Sequence, residues 1–304
     1  MDRVLPRAAV LPVLLLAYVP EASWAHGFAG QRFFPATILT DDPFVADEMS
    51  LPTVTRPPTG PDGGQEIDFD IDIAKRITPR LGVTFGEGWT HLQPKGGAAV
   101  SGLGGLDTGV QYQLFVDAPH EAIGLLGLNV NWAHTGRVAA LGAPDFTTLS
   151  PTFNFGKGFG DLPTSASYLR PIAVTGNLGF DFPTKTESAG SPNPDSFNYG
   201  FAFQYSLPYL QCCVKDVGLR PPFSQLIPLV EVAFSTPINR AAGLSTVGTI
   251  QPGIIWSGSY MQIGAEAIIP VNHASGKGFG GVVQLHFYLD DIFPKSLGKP
   301  IPEW

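Results

Sequence analysis

The chain is short of charge, of usable cysteine and of long apolar runs, and each shortage removes a class of protein. Only 14% of its 304 residues are charged, against roughly 25% in an ordinary soluble domain. The two cysteines, Cys212 and Cys213, are adjacent. Neighbouring cysteines rarely bridge, because a disulfide prefers a wider Cα separation, so the pair is expected to be a plain loop dipeptide. A disulfide-stapled secreted scaffold is thereby excluded, and no further ligand stands near the pair at metal-site spacing. The net charge is −8 and no basic cluster occurs, which argues against nucleic acid as a partner. Beyond residue 25 nothing approaches the ~20 apolar residues of a membrane-spanning helix. Catalytic signatures are missing too. There is no Gly-x-Ser-x-Gly elbow, so a barrel lipid hydrolase built around His134 lacks its nucleophile. Gly156–Gly160 and Gly276–Gly280 lack the Lys-Ser/Thr of a phosphate loop and read as turns. No enzyme and no cofactor is expected.

What the chain does contain begins with an export signal. Arg3 and Arg7 precede a short apolar run from Ala8 to Val19, and Ser23-Trp24-Ala25 supplies small residues for cleavage after Ala25. The run is too short to anchor the chain in a membrane.

The dominant signal is strict alternation. In Glu66-Ile67-Asp68-Phe69-Asp70-Ile71-Asp72-Ile73 every odd residue is apolar and every even one a carboxylate, the mark of a strand with one greasy and one wet face. Further alternating segments are Leu81–Trp89, Leu106–Val116, Ala122–Trp132, Thr152–Phe155, Ile172–Phe182, Phe197–Leu207, Leu226–Phe234, Ile250–Trp256, Met261–Val271 and Val283–Leu289. Single-chain bacterial barrels close with even strand numbers, so a twelfth strand is expected within Ala98–Leu103, within Ala139–Leu149 or by a split of the N-terminal segment. His26 to Gln65 is dense in proline and is expected to be irregular, a periplasmic strap or a plug.

A soluble β-sandwich would also alternate, but its apolar face should mix large and small residues. Here Phe197, Tyr199, Phe201, Phe203, Tyr205 and Leu207 form an all-large row, and Trp89, Trp132 and Trp256 lie toward strand ends, as interfacial aromatics do. The opposite face runs to Gly, Ala, Ser, Asn and Gln, which suits a water-filled lumen. The predicted fold is all-β: an antiparallel up-and-down transmembrane barrel of about twelve strands over 66–294, after a signal (1–25) and an irregular segment (26–65), and before a short tail (295–304).

Gly104-Gly105-Leu106-Asp107-Thr108-Gly109-Val110-Gln111-Tyr112-Gln113-Leu114 is a glycine turn entering a strand; Gly158–Leu162 repeats the idea, and Phe287–Pro294 closes the chain less specifically. These stretches resemble outer-membrane channel proteins near the transporter family named for the meta-pathway of phenol degradation. The resemblance implies a barrel in the outer membrane of a Gram-negative bacterium, in contact with its lipid, that passes a small, hydrophobic or aromatic solute.

If odd residues of the first segment face lipid, Glu66, Asp68, Asp70 and Asp72 line the lumen about 7 Å apart. Gln111, Gln113, Asn129, Asn131, Glu231, Glu266 and His286 fall on polar faces of other segments. Such a wall favours cations or amines, unless its carboxylates pair with Lys75 or Arg170. His26, as the new N-terminus, could chelate copper, but the other histidines are scattered, and a plain N-terminal residue is the simpler reading. The alternatives to a channel are a barrel that binds metal or one that serves as a scaffold.

Overall fold

The computed structural model describes residues 27–60, 63–136, 145–188 and 190–301. The signal, its cleavage site and His26 lie outside the described residues. Twelve antiparallel strands close into a barrel. In chain order they are β1 (Glu48–Arg56), β2 (Gln65–Thr78), β3 (Leu81–Gln93), β4 (Asp107–Asp117), β5 (Ala122–Asn131) and β6 (Thr148–Gly158). The second half comprises β7 (Ile172–Pro183), β8 (Ser196–Tyr205), β9 (Leu226–Pro237), β10 (Val247–Ser257), β11 (Met261–Pro270) and β12 (Gly280–Tyr288). Each strand pairs with its sequence neighbours, and β12 returns to β1 through Phe287 opposite Met49 and Val283 opposite Val54. Closure leaves the sheet no free edge, which a spanning sheet requires because hydrocarbon offers its backbone no hydrogen-bond partner. Strands of 9 to 14 residues match the ~9–11 needed to cross a bilayer at a tilt.

Sidedness follows the alternation. Ile67, Phe69, Ile71 and Ile73 of β2 point outward and exposed, as do Leu126 and Leu128 of β5 and Phe203 of β8, the last 52% exposed. Around one mouth Phe182, Phe180, Phe197, Tyr199 and Phe234 form a chain of rings with centroids 5.1 to 6.0 Å apart, an arc suited to headgroup depth. Both described chain ends lie at the opposite rim, the terminal rim, with the tight turns 79–80, 118–121 and 258–260.

The twelfth strand, β1, arises by a split of the N-terminal segment, one of the three places expected for it, so the barrel begins at Glu48 rather than at residue 66. Its Pro52 is accommodated by a bulge: pairing with β12 jumps from Ser50–His286 to Thr53–Gln284, and pairing with β2 jumps in the same place. Leu51 and Pro52 sit outside the ladder, where a missing N–H costs nothing. Val100–Leu103 is only a short strand on the far end of β3. Of Ala139–Leu149, residues up to 144 lie outside the described residues, and Thr148 already belongs to β6. The two glycine-rich stretches are not equivalent turns. Gly156–Gly158 ends β6 at the terminal rim, whereas Gly276–Lys277 lies in the loop before β12 at the other mouth.

Cys212 and Cys213 are bridged to one another, contrary to the expectation of a free dipeptide. They lie in a single π-helical turn, Leu210–Val214, in the terminal-rim connection between β8 and β9, where the backbone accommodates the small ring. The bridge joins no distant segments, so the barrel owes its closure to strand pairing alone. The tail also turns back on the barrel. Lys75 donates to the carbonyls of Leu297 and Lys299, and Arg76 to that of Gly298.

Phe201 faces outward near mid-strand, opposite Val232. Phe201→Arg is expected to destabilise the folded barrel by about 2–4 kcal/mol, the cost of a cation on the lipid face at mid-depth, read by denaturant titration in lipid with heat-modifiable gel mobility.

Candidate functional site

The lumen is not an empty pore. Residues 27–47 enter it from the terminal rim and are gripped by inward-facing side chains of the wall. They start as a small hairpin, Phe28–Ala29 against Arg32–Phe33, and continue as a turn around Thr37–Asp42. The strongest grip is a single carboxylate on β9. Glu231 is fully buried and accepts from the backbone N–H of Ile38 at 2.8 Å, Leu39 at 3.2 Å and Thr40 at 2.9 Å, and from the Thr40 hydroxyl at 3.0 Å. Hydrogen bonds to an ionised acceptor are about twice as strong as neutral ones. Three wall amides bind the rest of the segment. Gln262 donates to the Ala36 carbonyl, Asn154 to that of Asp42, and Gln113 both donates to the Pro43 carbonyl and accepts from the Val45 N–H.

Glycines complete the fit. A Cβ on Gly82, Gly200 or Gly264 would lie 2.7 to 2.8 Å from side-chain atoms of Val45, Thr40 or Ile38 respectively, and one on Gly156 would lie 3.0 Å from the Phe34 ring. Positions that read as a hydrated wall are thus the sockets of a plug.

The end of the lumen nearest the terminal rim is dry. Phe34, Phe44, Ala29 and Ala46 of the plug pack on Ile123 of β5 and Ala173 of β7, and Phe33 packs against Ile227, Leu229 and Ile255. Two ion-pair networks close the rim around this core. Asp47 holds Lys75 and Arg76, and Arg32 pairs with Glu121 at 3.1 Å while lying over the Tyr209 ring. Burial pushes the Tyr209 hydroxyl up to about 12, and its hydrogen bond to Glu121 pushes the same way. Burial also lowers the Arg32 guanidinium from its usual value, while Glu121 opposes the shift.

Beyond the plug tip the lumen stays open as cavities that all touch Leu39. On one side a cavity of about 270 Å³ is lined by Thr53, Thr55, Asp70, Asp72, Asp107 and Gln284, among others. A connected space of about 330 Å³ reaches Asp41, Asp42, Glu48, Gln111, Asn129 and His286. On the opposite side, about 480 Å³ is bordered by the neutral Asn177, Asn198 and Ser235. No lysine or arginine lines any of the three.

The residues expected to line the lumen therefore divide. Asp70, Asp72, Gln111, Asn129 and His286 do face open space, although His286 is itself held by Ser50 and Glu48. Asp68 accepts from Thr90, and Asn131 donates to Asp107; Glu66 stands beside Asp68 toward the far mouth. Gln113 and Glu231 are bound to the plug rather than to lumen water, and Glu266 is buried close to Glu231. The bases expected to neutralise the acidic row are engaged elsewhere: Lys75 with Asp47, and Arg170 with the Leu162 carbonyl. Asp107 and Thr53 escaped the sequence reading, because only the register brings them to the acidic row of β2.

The grip of Glu231 generates a measurable expectation. Glu231→Ala leaves three plug amides without their acceptor, at an expected cost on the order of 3 kcal/mol, or roughly a hundredfold faster hydrogen exchange at Ile38, Leu39 and Thr40. Gly264→Val, which drives a side chain into Ile38, should speed exchange at the same three amides, whereas slow exchange in both variants would show that the plug is held by something else.

No family model and no curated protein matches the chain. Among solved structures it is similar to an outer membrane channel from Pseudomonas putida F1, at 10% identity and a TM-score of 0.55, over 80% of this chain and 95% of that one. The KdgM porin aligns at 8% identity and a TM-score of 0.48, over 79% of this chain and 98% of that one. The NanC porin aligns at 7% and 0.47, over 78% and 98%. At such identities the likeness is one of fold, a transmembrane β-barrel of the outer-membrane kind.

Proposed function

We propose that the protein is a passive outer-membrane channel for small polar solutes, narrowed by its own N-terminal segment. The observation that carries this reading is the set of cavities beyond Leu39, in which carboxylates, amides and hydroxyls stand beside apolar groups such as Ile268 and Val282. A barrel whose sole task was structural would gain by filling that volume with side chains, since packed interiors leave few voids. Three tight turns and both described chain ends favour the terminal rim as the periplasmic one, although the connection between β8 and β9 on that rim is long. The resemblance to phenol meta-pathway channels suggests a hydrophobic or aromatic solute, but the cavity linings speak for a polar one.

One observation favours the scaffold reading, the dry packing of Phe34 and Phe44 on Ile123 and Ala173 at the periplasmic end. Passage past it requires the plug to shift, which breaks the contacts at Glu231 but leaves the strand ladder intact.

Conductance in planar bilayers separates the two. The full mature chain should pass a small current, and Glu231→Ala, by loosening the plug, should raise it several-fold. Silence from both proteins would leave the scaffold.

A further inference from the structure

We propose that the acidic side of the lumen binds a linear organic cation with two separated ammonium groups, held by Asp70 and Asp72 of β2, Asp107 of β4 and the carbonyl oxygen of Gln284 on β12. The proposal deepens the channel reading and rests on it for the solute's route, although binding itself requires no conduction.

The geometry begins with register. Asp70 lies opposite Gly88 and Asp72 opposite Gly86 on β3. A Cβ on Gly88 would stand 2.5 Å from the Asp70 Oδ1, and one on Gly86 would stand 2.7 Å from the Asp72 Oδ1 and 3.4 Å from the Asp107 Cβ. The two glycines leave the carboxylates room to lean across β3 toward Asp107. Among the described residues no hydrogen bond reaches either carboxylate, and no lysine or arginine lines the cavity. The base beside Asp72 is His286, which borders the adjoining cavity and is itself held by Glu48 and Ser50. Three carboxylates with so little counter-charge are unfavourable, and a bound cation relieves them.

A second observation is independent of the acids. Gln284 is only 6% exposed and borders both acidic cavities. Its Nε2 donates to the Thr53 hydroxyl at 3.2 Å, while its Oε1 has no partner. Buried acceptors are nearly always satisfied, so this oxygen calls for a donor from the cavity.

The class of cation follows from spacing. A calcium ion needs 6–8 oxygens at about 2.3–2.6 Å, and no group of acidic or imidazole side chains among the described residues converges that way. Alternate residues of a strand stand about 7 Å apart, which suits two ammonium groups joined by a short methylene chain. Ile38, Leu39, Ile268 and Val282 supply the apolar wall along which that chain would lie.

The test is calorimetric titration of 1,5-diaminopentane into the detergent-solubilised full mature chain. One site per barrel is expected, with Asp70→Asn/Asp72→Asn weakening it by at least about tenfold, the loss typical of a charge-assisted contact. Gln284→Leu should weaken it less, and pentylamine, with one ammonium group, should bind wild type far more weakly than the diamine. Magnesium chloride at equal ionic strength should not displace the diamine. Absent binding, equal binding by the two amines, an unaltered double variant, or displacement by magnesium as by any counter-ion would each overturn the proposal. The amine comparison uses wild type alone and stands if a variant fails to fold. A protein that conducts without binding the diamine refutes this site and leaves the channel; one that binds without conducting refutes the channel.

Discussion

Everything in this molecule depends on the closure of one sheet in a medium that cannot hydrogen-bond to it. Once β12 meets β1, every strand has two neighbours, and the side chains must sort into an apolar exterior and a different interior. The exterior is demanding in kind but tolerant in detail: it needs large apolar groups and aromatic ends. The interior is where this chain specialises.

That interior has three regimes along one axis. At the terminal rim aromatic and aliphatic groups from the plug and wall form a small dry core. In the middle a buried carboxylate on the wall clasps three consecutive backbone amides. Beyond the tip, charge and amide groups border open space, with the acids on one side and neutral groups on the other. The same structural device, an inward glycine, serves the last two regimes differently. Gly200 and Gly264 seat the plug, whereas Gly86 and Gly88 let carboxylates lean over the wall.

How much of this could be read without coordinates depended on how local the signal was. Eleven strands were legible because alternation is a property of consecutive residues. β1 was not, since Pro52 masks the pattern and the bulge that tolerates it depends on two partner strands. Ile123, an apolar residue at an inward position of β5, belongs to the floor on which Phe34 and its neighbours pack, a contact that no local pattern announces. The cysteine pair misled for a similar reason: general spacing preferences argued against a bridge that the tight turn at Leu210–Val214 permits.

The sequence by itself determined the fold class, the outward face of nearly every strand and the acidic row on β2, because each is encoded in a period of two along the chain. Only the tertiary structure decided which inward groups meet water and which meet the plug. Gln113, Glu231 and Asp70 share the same polar character, and what separates them is the path of residues 27–47 through the lumen, set by contacts between residues up to 226 positions apart.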